Sequence, residues 1–286
     1  MRIGAKPRGP AQHVALVYPG LMLGVLFLVP FGIMLAVSFY HRVEQGFYEP
    51  AFELTHYARF FTSFFADHLL FSLGIAALAS ALCVLVGFPF TYVLVQLRRT
   101  VQVPVLVLLL SVLSLSEVVV GFGWSVLLSR SAGLSNLLVW VGLLDKAAAW
   151  SPGLVAVLCG LCYLAFPYAV LVLYPPLSRL DREMVEAART LGAAPLRTFL
   201  TVVVPVLRPA IVAALILGFV FTLGSYLTPQ ILGRPQHWTL SVLITDQAIF
   251  AANIPFAAAM AMFLMLVSLG LVAAVLALNR PRGRTA

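Results

Sequence analysis

Residues 175–208 read PPLSRLDREMVEAARTLGAAPLRTFLTVVVPVLR, a polar, Arg-rich stretch set between long apolar runs. Its reading decides how the rest of the chain is arranged. Asp181 is a good helix N-cap, and Glu183 and Glu186 follow in the first turns, where the helix dipole favours acids. Gly192 is a natural exit residue, so the pattern predicts a helix over 182–191. Met184, Ala188 and Leu191 fall at i, i+4 and i+7 and make one narrow apolar stripe, with Arg182 and Glu186 paired on the polar side. Pro195 suits the first turn of a second helix over 196–204. Pro175-Pro176 is expected to end the apolar run before this segment, and Pro205 and Pro209 to bracket the start of the next. So short a helix is marginal alone. Its stripe either packs on the chain's own span ends and lipid, or is inserted into another protein's groove.

Working outward, the 286 residues are 62% hydrophobic and 10% charged, with mean hydropathy +1.03. A soluble domain carries roughly 25% charged residues. This chain has too few charges to cover a surface in water, so the bilayer is its solvent. Crossing takes about 20 apolar residues in a helix. Runs at 14–39, 69–95, 103–128, 153–174, 209–232 and 256–278 meet that length. They are continuously apolar and do not alternate, which predicts helices and not a barrel. The expected fold is an all-α integral membrane protein with six transmembrane helices. One transmembrane domain would span 14–278, between cytoplasmic tails 1–13 and 279–286. The first run has the basic start of a signal peptide but is too long, with no small-residue cleavage site after it, and reads as an uncleaved span.

Charge sets the orientation. With the N-terminus inside, the inner segments hold Arg2, Lys6, Arg8, Arg98, Arg99, Arg179, Arg182, Arg189, Arg197, Arg208, Arg280, Arg282 and Arg284. The outer segments hold only Arg42, Arg59, Arg130, Lys146 and Arg234, together with Glu44, Glu49, Glu53, Asp67, Asp145 and Asp246. Both termini inside needs an even number of crossings, which agrees with six. The net charge of +8 is thereby explained by topology, and nucleic acid is not implied.

The first outer connection, 41–68, carries Phe47, Tyr48, Phe52, Tyr57, Phe60, Phe61, Phe64 and Phe65, and is expected to anchor at the headgroup level or to form a docking surface. The segment 134–144 is too short to cross and reads as a surface or re-entrant helix. Pro89, Pro167, Gly121, Gly123, Gly218 and Gly224 permit close packing and kinks. Cys83, Cys159 and Cys162 lie within runs. Cys159-x-x-Cys162 puts two thiols on one helix face, where small buried residues are a plainer reading than a redox pair. The five histidines are scattered, so no metal site is expected, and no cofactor, phosphate loop or catalytic constellation is visible.

Glu117 is the only acid or base well inside an expected span. A charge there is costly and functional or paired. It is a candidate for the solute pathway, attracting a cationic cargo, or a structural group near a helix break. Trp124 follows two turns on. Thr222, Ser225, Tyr226 and Thr228 cluster in the fifth run, with Asp246 beyond in the last outer connection. Tyr226 with an acid could hold an ammonium group, or the hydroxyls could bond helix to helix.

The spacing Glu186-Ala187-Ala188, Gly192, Val202, Val204-Pro205 resembles the E-A-A loop of the inner-membrane permeases of ABC importers, E-A-A-x3-G-x9-I-x-L-P. Val202 and Val204 stand where Ile and Leu are usual. FVFTLGSYLTPQILG at 219–233, Trp238, LITDQ at 243–247, IPF at 254–256, FELTHY at 52–57 and GLSNL at 133–137 resemble the polyamine (spermidine/putrescine) group of those permeases. The resemblance implies a coupling helix. Glu186 would touch a cytoplasmic ATPase, Ala187 and Ala188 would allow close approach, Gly192 would make the turn, and Met184, Leu191 and Pro205 would complete the surface. It implies a second permease subunit, two ATP-binding subunits, an external solute-binding protein and the bacterial inner membrane. ATP hydrolysis is expected in the partners. Relatives also carry ferric iron, opines, thiamine and phosphonates. An ion-coupled carrier or a membrane scaffold are the rival classes; the first would show more intramembrane charge or inverted repeats.

Overall fold

A computed structural model describes residues 10–43, 48–131 and 133–279. The basic tails, Glu44 and Phe47 lie outside the described residues, as does the side chain of Arg182. The chain runs α1 (Pro10–Val37), α2 (Thr55–Ala58), α3 (Ser63–Leu94), α4 (Arg99–Leu113), α5 (Glu117–Leu127), α6 (Leu134–Trp140) and α7 (Leu154–Ser178). It continues through α8 (Arg182–Thr190), α9 (Pro195–Thr198), α10 (Val204–Val206), α11 (Arg208–Gly224), α12 (Leu227–Leu232), α13 (Leu240–Thr245) and α14 (Ile254–Leu278). The expected all-helical class holds.

Val17–Val37, Ser63–Leu94, Leu154–Ser178 and Ile254–Leu278 are each long and apolar enough to cross a membrane, making four. Two further pairs qualify together but are bent, α4 with α5 by 99° and Pro195–Val206 with α11 by 74°, which gives up to six crossings. The uninterrupted runs at 103–128 and 209–232 are therefore corrected. In the first, Ser116 is extended (φ −65°, ψ 135°) and stands where a new helix begins, with Glu117 in its first turn. That Ser-Glu start signal is lost when only apolarity is read. In the second, a continuous helix would drive the Pro229 ring into the Ser225 carbonyl. The backbone instead turns extended at Ser225 (φ −67°, ψ 130°) and restarts as α12. Pro209 acts the same way on Pro205, and the chain bends at Leu207 (φ −95°, ψ 9°).

Other boundaries also shift. Pro175 and Pro176 do not stop the fourth run, since α7 carries on to Ser178. Neighbouring helices can hold a membrane helix together across lost backbone bonds. The second loop helix is not regular over 196–204 either. Val204 N–H reaches the Phe199 carbonyl in a wide turn between α9 and α10. The last outer connection is not a simple loop: Leu240 and Val242 of α13 are buried, and the Leu240 amide donates to Ser72 Oγ at 2.7 Å.

Three helices, α3, α7 and α11, make the centre. Ala76, Ala79, Ala165, Ala169 and Ala214 are at most 1% exposed there, small enough to let backbones approach. Of the expected close-packing glycines, Gly218 lies against Ser80 and Gly121 against Ile231, whereas Gly123 and Gly224 have no such neighbour. Cys83 Sγ donates to the Cys162 carbonyl across α3 and α7 at 3.4 Å, and all three cysteines are free. The periphery is apolar outward: Val17, Leu21, Leu23, Leu26 and Leu28 of α1 are 61–69% exposed. So large an apolar surface is stable only against lipid or another protein.

Helix ends sort into two sides. On one, Arg42 Nη2 bonds the Ala251 carbonyl at 2.8 Å, Trp150 N the Leu128 carbonyl at 3.1 Å, and Arg234 Nε the Pro152 carbonyl at 3.0 Å. On the other, Tyr174 Oη donates to Gln102 Oε1 at 2.6 Å and Arg208 Nε to Asn279 Oδ1 at 3.1 Å. The aromatic connection is pinned on the first side, with Phe60 and Phe65 buried against Phe263 of α14, while Phe52, Phe61 and Phe64 remain exposed.

Candidate functional site

The segment 175–208 folds much as its pattern dictates. Asp181 caps α8, accepting from Glu183 N–H at 2.9 Å. The helix ends at Thr190, and Gly192 follows at φ +84°, a left-handed conformation that glycine adopts without penalty. Val185 faces inward onto the cluster formed by Leu177, Val203 and Leu207. The opposite side is open. Met184 is 43% exposed and Leu191 89%, Glu186, Ala187 and Pro205 are exposed, and Ala188 is half-buried. Leu196 and Leu200 extend this greasy surface. The stripe is thus not sealed within its own subunit. A cleft of about 290 Å³ beside it is lined by Tyr92, Gln96, Leu180, Val185, Glu186 and Arg189.

The second cluster forms around Glu117. Its Oε1 accepts from the Ser225 hydroxyl, from Thr228 N–H at 3.1 Å and from Thr228 Oγ1 at 2.8 Å. Ser225 and Thr228 are buried and Glu117 is half-buried. Two helices begin here side by side, α5 at Glu117 itself and α12 just before Thr228. The sequence named Glu117, Ser225 and Thr228 separately, and folding brings them together. The other predicted pathway residues are not gathered with them by any bond among the described residues. Trp124 packs edge-on against Tyr163, ring centroids 5.9 Å apart, and lines a wholly separate apolar cavity with Leu109, Cys159 and Phe166. Tyr226 and Asp246 are half-buried, Asp246 in the wide helical turn after α13. Two buried serines that reading the sequence missed matter as well: Ser72 and Ser241, the latter donating to the Leu223 carbonyl at 2.5 Å. The only signal for them is a lone hydroxyl in an apolar run.

A helical bundle with up to six apolar crossings and an exposed amphipathic loop helix on one side defines a multi-pass integral membrane protein. Residues 93–283 match the family described as binding-protein-dependent transport system inner membrane component, and the chain belongs to it: it is the inner-membrane permease of an ABC importer. The spermidine/putrescine transport system permease protein PotB of Escherichia coli K12 is 30% identical over 246 residues, 85% of this chain and 89% of PotB. PotB of Salmonella typhimurium is 29% identical over 258 residues, 90% and 89% of the two chains. The Escherichia coli inner membrane ABC transporter permease protein YdcU is 27% identical over 266 residues, 84% of each. Among solved structures, a bacterial ABC transporter involved in import of the acidic polysaccharide alginate has the same fold. Its TM-score is 0.72 at 19% identity, covering 93% of this chain and 94% of that one.

Proposed function

We propose that this permease moves a polyamine-like cation handed to it by an external binding protein. It would work with a second permease subunit and two cytoplasmic ATP-binding subunits that hydrolyse the ATP. The observation that carries the cargo assignment is the 29–30% identity to spermidine/putrescine permeases over nearly the full length. Helix α8 is the lever of this reading: Glu186, Ala187, Ala188, Met184, Leu191, Gly192 and Pro205 form the face that an ATPase grips. Its support is physical. The face is open and apolar, its helix is capped and braced at Val185, and its exit is turned by a left-handed glycine. Both termini, α8 and the Arg98-Arg99 turn lie on the cytoplasmic side in this reading, with the single domain at 14–278. Uptake of labelled spermidine into vesicles holding the importer with its co-encoded partners tests the cargo. We expect ATP-dependent uptake that excess putrescine competes down and thiamine, ferric citrate or a phosphonate does not. Competition by one of the latter alone would reassign the cargo.

A further inference from the structure

We propose that α5 and α12 are one rocking unit and that Glu117 is its pin, a positioning residue for transport and not a ligand of the cargo. The inference rests on the chain being an importer permease and is independent of which solute it carries. Each of the two helices starts at a backbone break, α5 after Ser116 and α12 after Ser225. A break in hydrocarbon leaves amides and carbonyls without helical partners, so neighbours must supply them. Glu117 Oε1 does so for the Thr228 amide and binds both the Ser225 and Thr228 hydroxyls. Ser241 serves the opposite lip of the same break through the Leu223 carbonyl.

Packing joins the two helices along their length. A Cβ on Gly121 of α5 would stand 3.0 Å from the Ile231 side chain of α12, so that side chain packs directly on the α5 backbone. The pair then runs to the same side of the bundle, ending near Leu128 and Gly233. Its connections to α4 and α11 are the two breaks, and α4 meets α5 at 99°. Two half-helices that are hinged at adjacent points and fastened at their hinges tilt together. A carboxylate with one oxygen committed to three donors is suited to fastening; cargo capture would leave those donors unmatched each time it let go.

The test uses the importer, with its partner subunits, in lipid vesicles, and follows spermidine uptake and ATP hydrolysis together. Glu117→Gln keeps an acceptor at the same position without the charge. Ser225→Ala combined with Thr228→Val removes two donors and leaves the carboxylate, which guards against Glu117→Ala simply failing to fold. The pin predicts for Glu117→Gln, whose amide oxygen is a weaker acceptor for the same three donors, an unchanged KM and a maximal rate lowered less than in the double variant. For the double variant it predicts a maximal uptake rate lower by roughly tenfold at unchanged KM, with binding-protein-stimulated ATP hydrolysis falling alongside it. A KM raised about tenfold in Glu117→Gln, with the double variant normal, overturns the pin and makes Glu117 a cargo ligand. If even the unaltered importer moves no spermidine, the cargo reading fails and ATP turnover decides the pin. A change in binding-protein-stimulated hydrolysis in the double variant supports it, and an unchanged rate refutes it.

Discussion

Single side chains carry more of this fold than the long apolar runs suggest, and Gly160 is the clearest case. It sits in α7 facing α12, where an added Cβ would meet Leu232 and Thr228, each at 2.7 Å. Both neighbours are completely buried, and Thr228 is held by Glu117, so neither can swing aside without breaking something. Gly160→Val should therefore destabilise the bundle by about 1–3 kcal/mol, the usual result of overpacking. The measurement is thermal unfolding of the purified importer in detergent. An unchanged midpoint would mean that α12 is free to back away from α7. The same substitution at Gly123, which has open space around it, should be silent.

Among helices, α8 shows how far local chemistry reaches. Asp181, Glu183 and Gly192 together specify where it starts and stops, and the observed Arg182–Thr190 ends one residue short of the expectation. It was legible because its signals are local: a cap, a dipole and a turn residue within a dozen positions. The breaks in the third and fifth runs were not, because apolarity does not distinguish one straight helix from two short ones. There the deciding residues, Ser116 and Pro229, act through a single backbone group each. The pairing of Glu117 with Ser225 and Thr228 was illegible for another reason: it spans more than a hundred positions and depends on how α5 meets α12. On the lever reading, reversing charge with Glu186→Lys or stiffening the exit with Gly192→Pro should leave insertion intact. Hydrolysis stimulated by the binding protein should fall by roughly tenfold or more, since truncating a central contact commonly costs at least 1–2 kcal/mol. Wild-type uptake in both variants would remove α8 from the coupling path.

The assembled bundle has a sidedness that neither residues nor helices reveal separately. Hydrogen bonds tie Arg208 to Asn279 and Tyr174 to Gln102 on one side, and Arg42 to Ala251 and Arg234 to Pro152 on the other. The first side also bears Arg98, Arg99, Arg179, Arg189 and Arg197, the excess of basic residues that the positive-inside bias would keep in the cytoplasm. Packing and charge bias are independent physical signals, the one from contacts within the bundle and the other from the energetics of insertion, and they divide the chain at the same places. The orientation that follows can be read on intact cells with a thiol reagent unable to cross the membrane. The native thiols are buried or half-buried between helices, which keeps the background low. Single cysteines at Lys146 and Gln236 should be labelled from outside. Cysteines at Leu191 and Arg98 should react only after the membrane is opened. Labelling of Leu191→Cys on sealed cells would turn the molecule over. It would put the open face of α8 where no nucleotide is hydrolysed, leaving the lever with nothing to grip it.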